Sequence, residues 1–107
     1  MPYILTTIWY PPDKHSEVEK IAFANVPKYP PRPELGEMVV PTMVTADING
    51  IKAMSVFKAK KGKYDEVMAI AGKQLSEFWG IEGLRYTLET LYTAEEAWAV
   101  VGKKVPG

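Results

Sequence analysis

The chain has no cysteine. Disulfides, thiolate nucleophiles and Cys-ligated zinc are therefore excluded. A reducing compartment fits, and a cytoplasmic location is the expectation. It has a single histidine, His15, so a multi-histidine metal site cannot form within one chain, and no metal is expected. There is no charge surplus: 13 basic and 13 acidic residues cancel. Binders of nucleic acid or of anionic membranes usually carry a basic excess, and neither partner is predicted. No apolar run approaches the roughly 20 residues needed to span a bilayer. The N-terminus, Met-Pro-Tyr-Ile-Leu-Thr-Thr-Ile-Trp-Tyr, lacks the basic start and small-residue cleavage site of a signal peptide. Absent too are a Gly-rich phosphate loop, a Ser-His-Asp order and a repeat of solenoid period. No cofactor is predicted.

What is present is one domain's worth of chain. A length of 107 residues with 47% apolar content suits a single domain over 1–107 with a sizeable core. Its middle, Pro41 to Lys61, holds two β-rich runs on either side of Asn49-Gly50. That dipeptide predicts a tight hairpin with a type I′ turn, because both central residues must take positive φ and Asn and Gly tolerate it.

Before the hairpin, Tyr3 to Tyr10 reads as a strand stopped by Pro11-Pro12. Ile4, Thr6 and Ile8 point one way, and Tyr3, Leu5, Thr7 and Trp9 the other. Asp13 is the expected N-cap of a helix ending near Asn25, with Ser16 and Glu19 as an alternative capping box. Val18, Ile21 and Ala22 form its apolar stripe. Pro27, Pro30, Pro31 and Pro33 make the stretch from Pro27 to Glu37 irregular. It is either a stiff connector or a rim loop carrying Tyr29 and Arg32 over a pocket. A second strand is expected over Met38 to Ile48. Pro41 cannot donate to a ladder, which marks this strand as an edge.

After the hairpin, Ile51 to Ala59 is the third strand, with Ala53, Ser55 and Phe57 on one side and Met54 and Val56 on the other. Tyr64, Val67, Met68, Ala71, Leu75 and Phe78 give a helical stripe closed by Gly80 and Gly83. Trp79 at its end is read as core. Leu84 to Tyr92 is the fourth strand. Thr93 and Glu96 form a capping box for a short helix that buries Ala97, Trp98 and Val101. The tail from Gly102 is expected to be loose.

The order β-α-β-β-α-β followed by a short helix predicts an α+β, ferredoxin-like fold: a four-stranded antiparallel sheet with two helices on one face. Strands one and three should be central. Leu5, Trp9, Phe57, Tyr86 and Leu88 cannot all face the helices, because Ile4, Ile8, Met54 and Val56 compete for that side. An apolar second face of this size predicts a homodimer packed about a two-fold axis.

By order of elements over nearly its whole length, the chain resembles the dimeric α/β barrel superfamily. The stretch Phe57-Lys58-Ala59-Lys60-Lys61-Gly62-Lys63-Tyr64-Asp65-Glu66-Val67 is similar to the strand–Gly-Lys–helix turns of that group. The resemblance implies two subunits joined sheet to sheet. The group includes cofactor-free monooxygenases, haem-degrading enzymes, cyclases, isomerases and proteins without known activity, so it leaves the function open.

Trp9, His15, Phe57 and Tyr86 are the candidate ligand-binding residues. The three aromatics either line a cavity or form the dimer core. His15, at a helix start, is either solvated or a general base at a pocket mouth, and is the one catalytic candidate. Arg85 and Glu89 alternate along strand four, as a solvated face or as an inward polar pair. Lys58, Lys60, Lys61 and Lys63 invite comparison with RNA-recognition modules. The third strand, however, offers only Phe57 for base stacking. The expectation is an apolar cavity or cleft between sheet and helices holding a small hydrophobic molecule. A cofactor-independent monooxygenase, isomerase or cyclase is the alternative.

Overall fold

Alternating aromatic and β-branched residues make Tyr3–Tyr10 the first strand, β1, in a computed structural model that describes residues 2–104. A short 3-10 turn, Pro12–Lys14, follows, and then α1, His15–Lys28. Next come β2, Gly36–Asp47, and β3, Gly50–Ala59. They are followed by α2, Tyr64–Ser76, β4, Arg85–Leu91, and α3, Ala94–Val100. All strand pairs are antiparallel, in the order β2-β3-β1-β4. β1 and β3 are central, and β2, with Pro41, is an edge, as expected. The α+β class and this strand order are compatible with a ferredoxin-like fold.

Register decides the faces. Ile4 pairs with Phe57 and Thr90, and Ile8 with Ala53 and Tyr86. Ile4 clusters with Val67 of α2, Leu35 and Ala59. Tyr10, on the same side of β1, clusters with Val18 of α1, Phe78 and Ile81. Both helices therefore cover the side that bears Ile4 and Tyr10. Phe57, Tyr86 and Leu88 lie on this side too. Leu5, Trp9, Met54 and Val56 lie on the opposite, open face. The competition for the helix side is thus resolved with Met54 and Val56 facing away from the helices and Phe57 facing them. Arg85 and Glu89 are exposed on the open face. The whole is flat, with extents of 48 × 33 × 19 Å.

Several local expectations are corrected. The hairpin turn is not type I′. Among the described residues no non-glycine takes positive φ, and Asn49 donates its N–H to Asp47 Oδ1 at 2.7 Å. The turn is centred on Ile48 and Asn49, with Gly50 at φ 108° taking the one left-handed position. Asp47's carboxylate thus does locally what a second positive φ was expected to do.

α1 has no side-chain N-cap, because the 3-10 turn comes first and places Asp13 before the helix and Ser16 within it. Glu19 pairs with His15 instead, at 3.2 Å. The helix runs through Pro27 to Lys28. In the last turn the missing N–H deprives only the Phe23 carbonyl, on the exposed side. α2 ends at Ser76, before either glycine. Glu77, Phe78 and Trp79 donate to carbonyls three residues back, so the chain tightens. This turns Phe78 and Ile81 inward and Trp79 outward, where it is 70% exposed rather than core.

The capping box of α3 is present: Thr93 Oγ1 accepts from Glu96 N–H, and Glu96 Oε1 accepts from Thr93 N–H. This hydrogen bond holds the Glu96 carboxyl down at about 2. α3 buries none of its residues, contrary to the reading of Ala97, Trp98 and Val101. The tail begins in order: Gly102, at φ 75°, donates to Ala99 O and Lys103 to Trp98 O, which closes the helix in a Schellman motif. Residues 105–107 of the expected loose tail lie outside the described residues.

The two kinds of glycine predict opposite signs. A Cβ at Gly50 would sit 2.5 Å from the Tyr10 carbonyl oxygen, at positive φ, whereas one at Gly72 within α2 meets nothing within 4 Å. Gly50→Ala should lose about 2 kcal/mol or more of stability, and Gly72→Ala should gain about 0.5–1 kcal/mol. Urea unfolding of both variants at one protein concentration checks the pair; equal effects would refute the strained-turn account.

Candidate functional site

The helix-bearing side of the sheet is built in rows about 7 Å apart along the strands. The first row pairs Ile4 with Phe57, the second Thr6 with Ser55, the third Ile8 with Ala53, and the fourth Tyr10 with Ile51. The first row belongs to one core cluster and the fourth to the other. Between them Thr6, Ser55 and Ala53 belong to neither, and all three keep partial contact with solvent. On β1 and β3, short side chains thus form an interruption between the two clusters, while Leu88 of β4, paired with Thr6, packs against the first of them. Phe57 stands on one side of the interruption and Tyr86, across Ile8, on the other.

Both flanking aromatics have neighbours that fix them. Tyr86's hydroxyl accepts a hydrogen bond from Trp79 Nε1 at 3.0 Å. Phe57 packs against the cluster of Ile4 and Val67. Tyr64, at the start of α2, shares a hydrogen bond with Thr90 Oγ1 at 2.5 Å. The middle of this face therefore carries two hydroxyls, Thr6 and Ser55, between apolar neighbours.

His15 is the centre of a small polar chain beside this face. Its Nδ1 lies 3.1 Å from the Tyr10 hydroxyl and its Nε2 lies 3.2 Å from Glu19 Oε2. With the proton on Nε2, the imidazole donates to Glu19 and accepts the Tyr10 O–H at Nδ1. The Tyr10 and His15 rings stack, with centroids 6.1 Å apart. Tyr10 is buried while His15 is exposed, so the chain leads from the core to solvent. Burial, and then the Glu19 charge, push the Tyr10 phenol above the ordinary tyrosine value. Tyr10 and Glu19 were read from the sequence as a strand end and a capping residue, not as members of a site. Glu19 was legible as the helical i+4 neighbour of His15; Tyr10 needed the bend at Pro11-Pro12.

The four sequence candidates divide between places. Phe57 and Tyr86 are on the helix side, and His15 is on the first turn of α1. Trp9 stands on the open face, with the Lys52 ammonium 5.6 Å from its ring. The end of α1 and the irregular stretch after it are held onto α2 and its C-terminal turn: Lys28 Nζ donates to Glu77 at 2.8 Å, Tyr29 to the same carboxylate at 3.4 Å, and Arg32 to Glu66 of α2 at 3.2 Å. The Lys28 hydrogen bond lowers the Glu77 carboxyl below its ordinary value. Two open clefts lie elsewhere. One, of about 420 Å³, is lined by Tyr3, Lys58, Thr93, Glu95, Glu96 and Ala99. The other, of about 350 Å³, is lined by Pro33, Gly36, Glu37, Lys58 and Lys60. Among the described residues, no group of three or more His, Asp or Glu side chains is placed to hold a metal ion, and no helix is long and apolar enough to cross a membrane.

No protein-family model matches this chain, and no curated protein or solved structure matches it either.

The Tyr10 environment has a pH signature. Its pKa is raised in the fold, so the stability it contributes is complete below the ordinary tyrosine pKa of about 10 and is lost as pH rises toward the folded value. Spectrophotometric titration should show two tyrosines ionising late, Tyr10 and Tyr29. Glu19→Gln should move only the Tyr10 step toward normal, by removing the charge near it. A Glu19→Gln titration identical to wild type would refute the coupling.

Proposed function

We propose that this protein is a homodimer of the dimeric α/β barrel type that binds a small, largely hydrophobic molecule on the helix side of each sheet. The observation that carries the binding reading is the interrupted core. Thr6, Ala53 and Ser55 leave short side chains between two apolar clusters, with Phe57 and Tyr86 as walls. Such a mostly apolar lining with a few hydroxyls suits a ligand with one polar group. Surface area supports the dimer. The chain exposes 7404 Å² at 12.0 kDa, whereas a monomer of that mass averages about 6,000 Å². The surplus, about 1,400 Å², exceeds the roughly 800 Å² per partner of a standard interface. The open face supplies Leu5, Val40, Met43, Met54, Val56 and Trp9 to cover it.

A catalytic reading rests on a separate observation, the Tyr10–His15–Glu19 chain. If the bound molecule is transformed without a cofactor, His15 is the proton acceptor, oriented by Glu19. Fold type alone decides neither reading.

Two measurements test the proposal. Light scattering on a gel-filtration column should give twice the 12.0 kDa chain mass; chain mass at every concentration would end the dimer reading. For binding, Trp79 is the reporter, because its indole bonds Tyr86. In a Trp9→Phe, Trp98→Phe double variant, a panel of apolar ligands should include members that shift Trp79 emission, and Ser55→Leu should abolish that shift. A response that persists in Ser55→Leu, or none across the panel, would reject the helix-side site.

A further inference from the structure

α3 has the spacing of a buried helix, yet none of its residues is fully buried in its own chain. Ala94, Ala97, Trp98 and Val101 recur at the i, i+3, i+4, i+7 spacing of one helix face. Trp98 is 46% exposed and Val101 68%. The helix is secured at both ends, by the Thr93–Glu96 capping box and by the Schellman turn at Gly102. A seven-residue helix with so little tertiary burial is marginal in water. Its orientation is the reverse of what a monomer needs. Glu95, Glu96 and Ala99, on the polar side, line the cleft against Tyr3 and Lys58 of its own sheet, and the apolar stripe faces away.

We infer that the α3 stripe is a docking element covered by a second copy of this chain. The inference rests on the dimer reading above and adds to it the element that closes the interface. The occupant follows from place and area. Tyr3 pairs with Lys58 on the open face, in the row next to Leu5 and Val56. The cleft they share with α3 sets the helix at the margin of the surface that meets the partner. The stripe therefore continues that surface, and under two-fold symmetry each copy offers one helix and receives one. The surplus exposed area is large enough to include it.

The test is a Trp98→Asp, Val101→Asp double variant, followed by sedimentation equilibrium, together with amide hydrogen exchange of the wild type over a dilution series. Both side chains are exposed, and circular dichroism checks that the fold is kept. The expected result is a wild-type dimer whose α3 amides are protected at high concentration and lose protection on dilution. The double variant should dimerise about 30-fold or more weakly, as for loss of an interface anchor. A wild-type dimer with unprotected α3 amides and an equally tight variant would overturn the role of α3 and leave the dimer standing. A wild type that is monomeric throughout would overturn both.

Discussion

The pairing of Ile4 with Phe57 across β1 and β3 is the constraint on which the rest depends. In an antiparallel sheet directly opposed residues share a face, and the side-chain period is two. Once these two are opposed, Ile8 and Tyr10 must join the helices, and Leu5, Trp9, Met54 and Val56 must leave them. A slip of one residue would exchange every one of these places. The pairing is held by burial: Ile4 is 1% exposed, beside Val67, Leu35 and Ala59. Deleting an aliphatic side chain so fully enclosed typically costs about 2–5 kcal/mol.

That pairing produces two unlike surfaces. On the helix side the core is made of two clusters rather than one, because the β1 and β3 positions between them carry Thr6, Ser55 and Ala53. On the open face the apolar centre is bounded by lysines lying over aromatic rings, Lys58 at Tyr3 and Lys52 at Trp9. Long lysine stems can cover apolar surface while the ammonium stays wet.

Much of the architecture was legible along the chain. Strand periodicity, the helical stripe from Tyr64 to Phe78, Pro41 at an edge and the capping box at Thr93 are local signals, and each has a local physical cause. The errors have a common form. Asn49-Gly50 looked sufficient for a type I′ turn, but Asp47 captured the Asn49 amide. Asp13 and Ser16 looked like caps, but the Pro11-Pro12 bend spent Asp13 in a 3-10 turn. Trp79 continued a helical stripe in sequence, but the chain tightened after Ser76 and rotated it into solvent. In each case a neighbour outside the motif redirected it.

By itself, then, the sequence determined the number and order of elements, the two apolar strand faces and the amphipathic character of α3, since these follow from spacing alone. It also showed that a single histidine and no cysteine were available for chemistry. Tertiary structure decided which face met the helices. It separated Trp9 from Phe57 and Tyr86, joined His15 to Tyr10 and Glu19, and left α3 turned outward. The physical reason is that spacing fixes which residues share a side, while only pairing between distant strands fixes what that side touches.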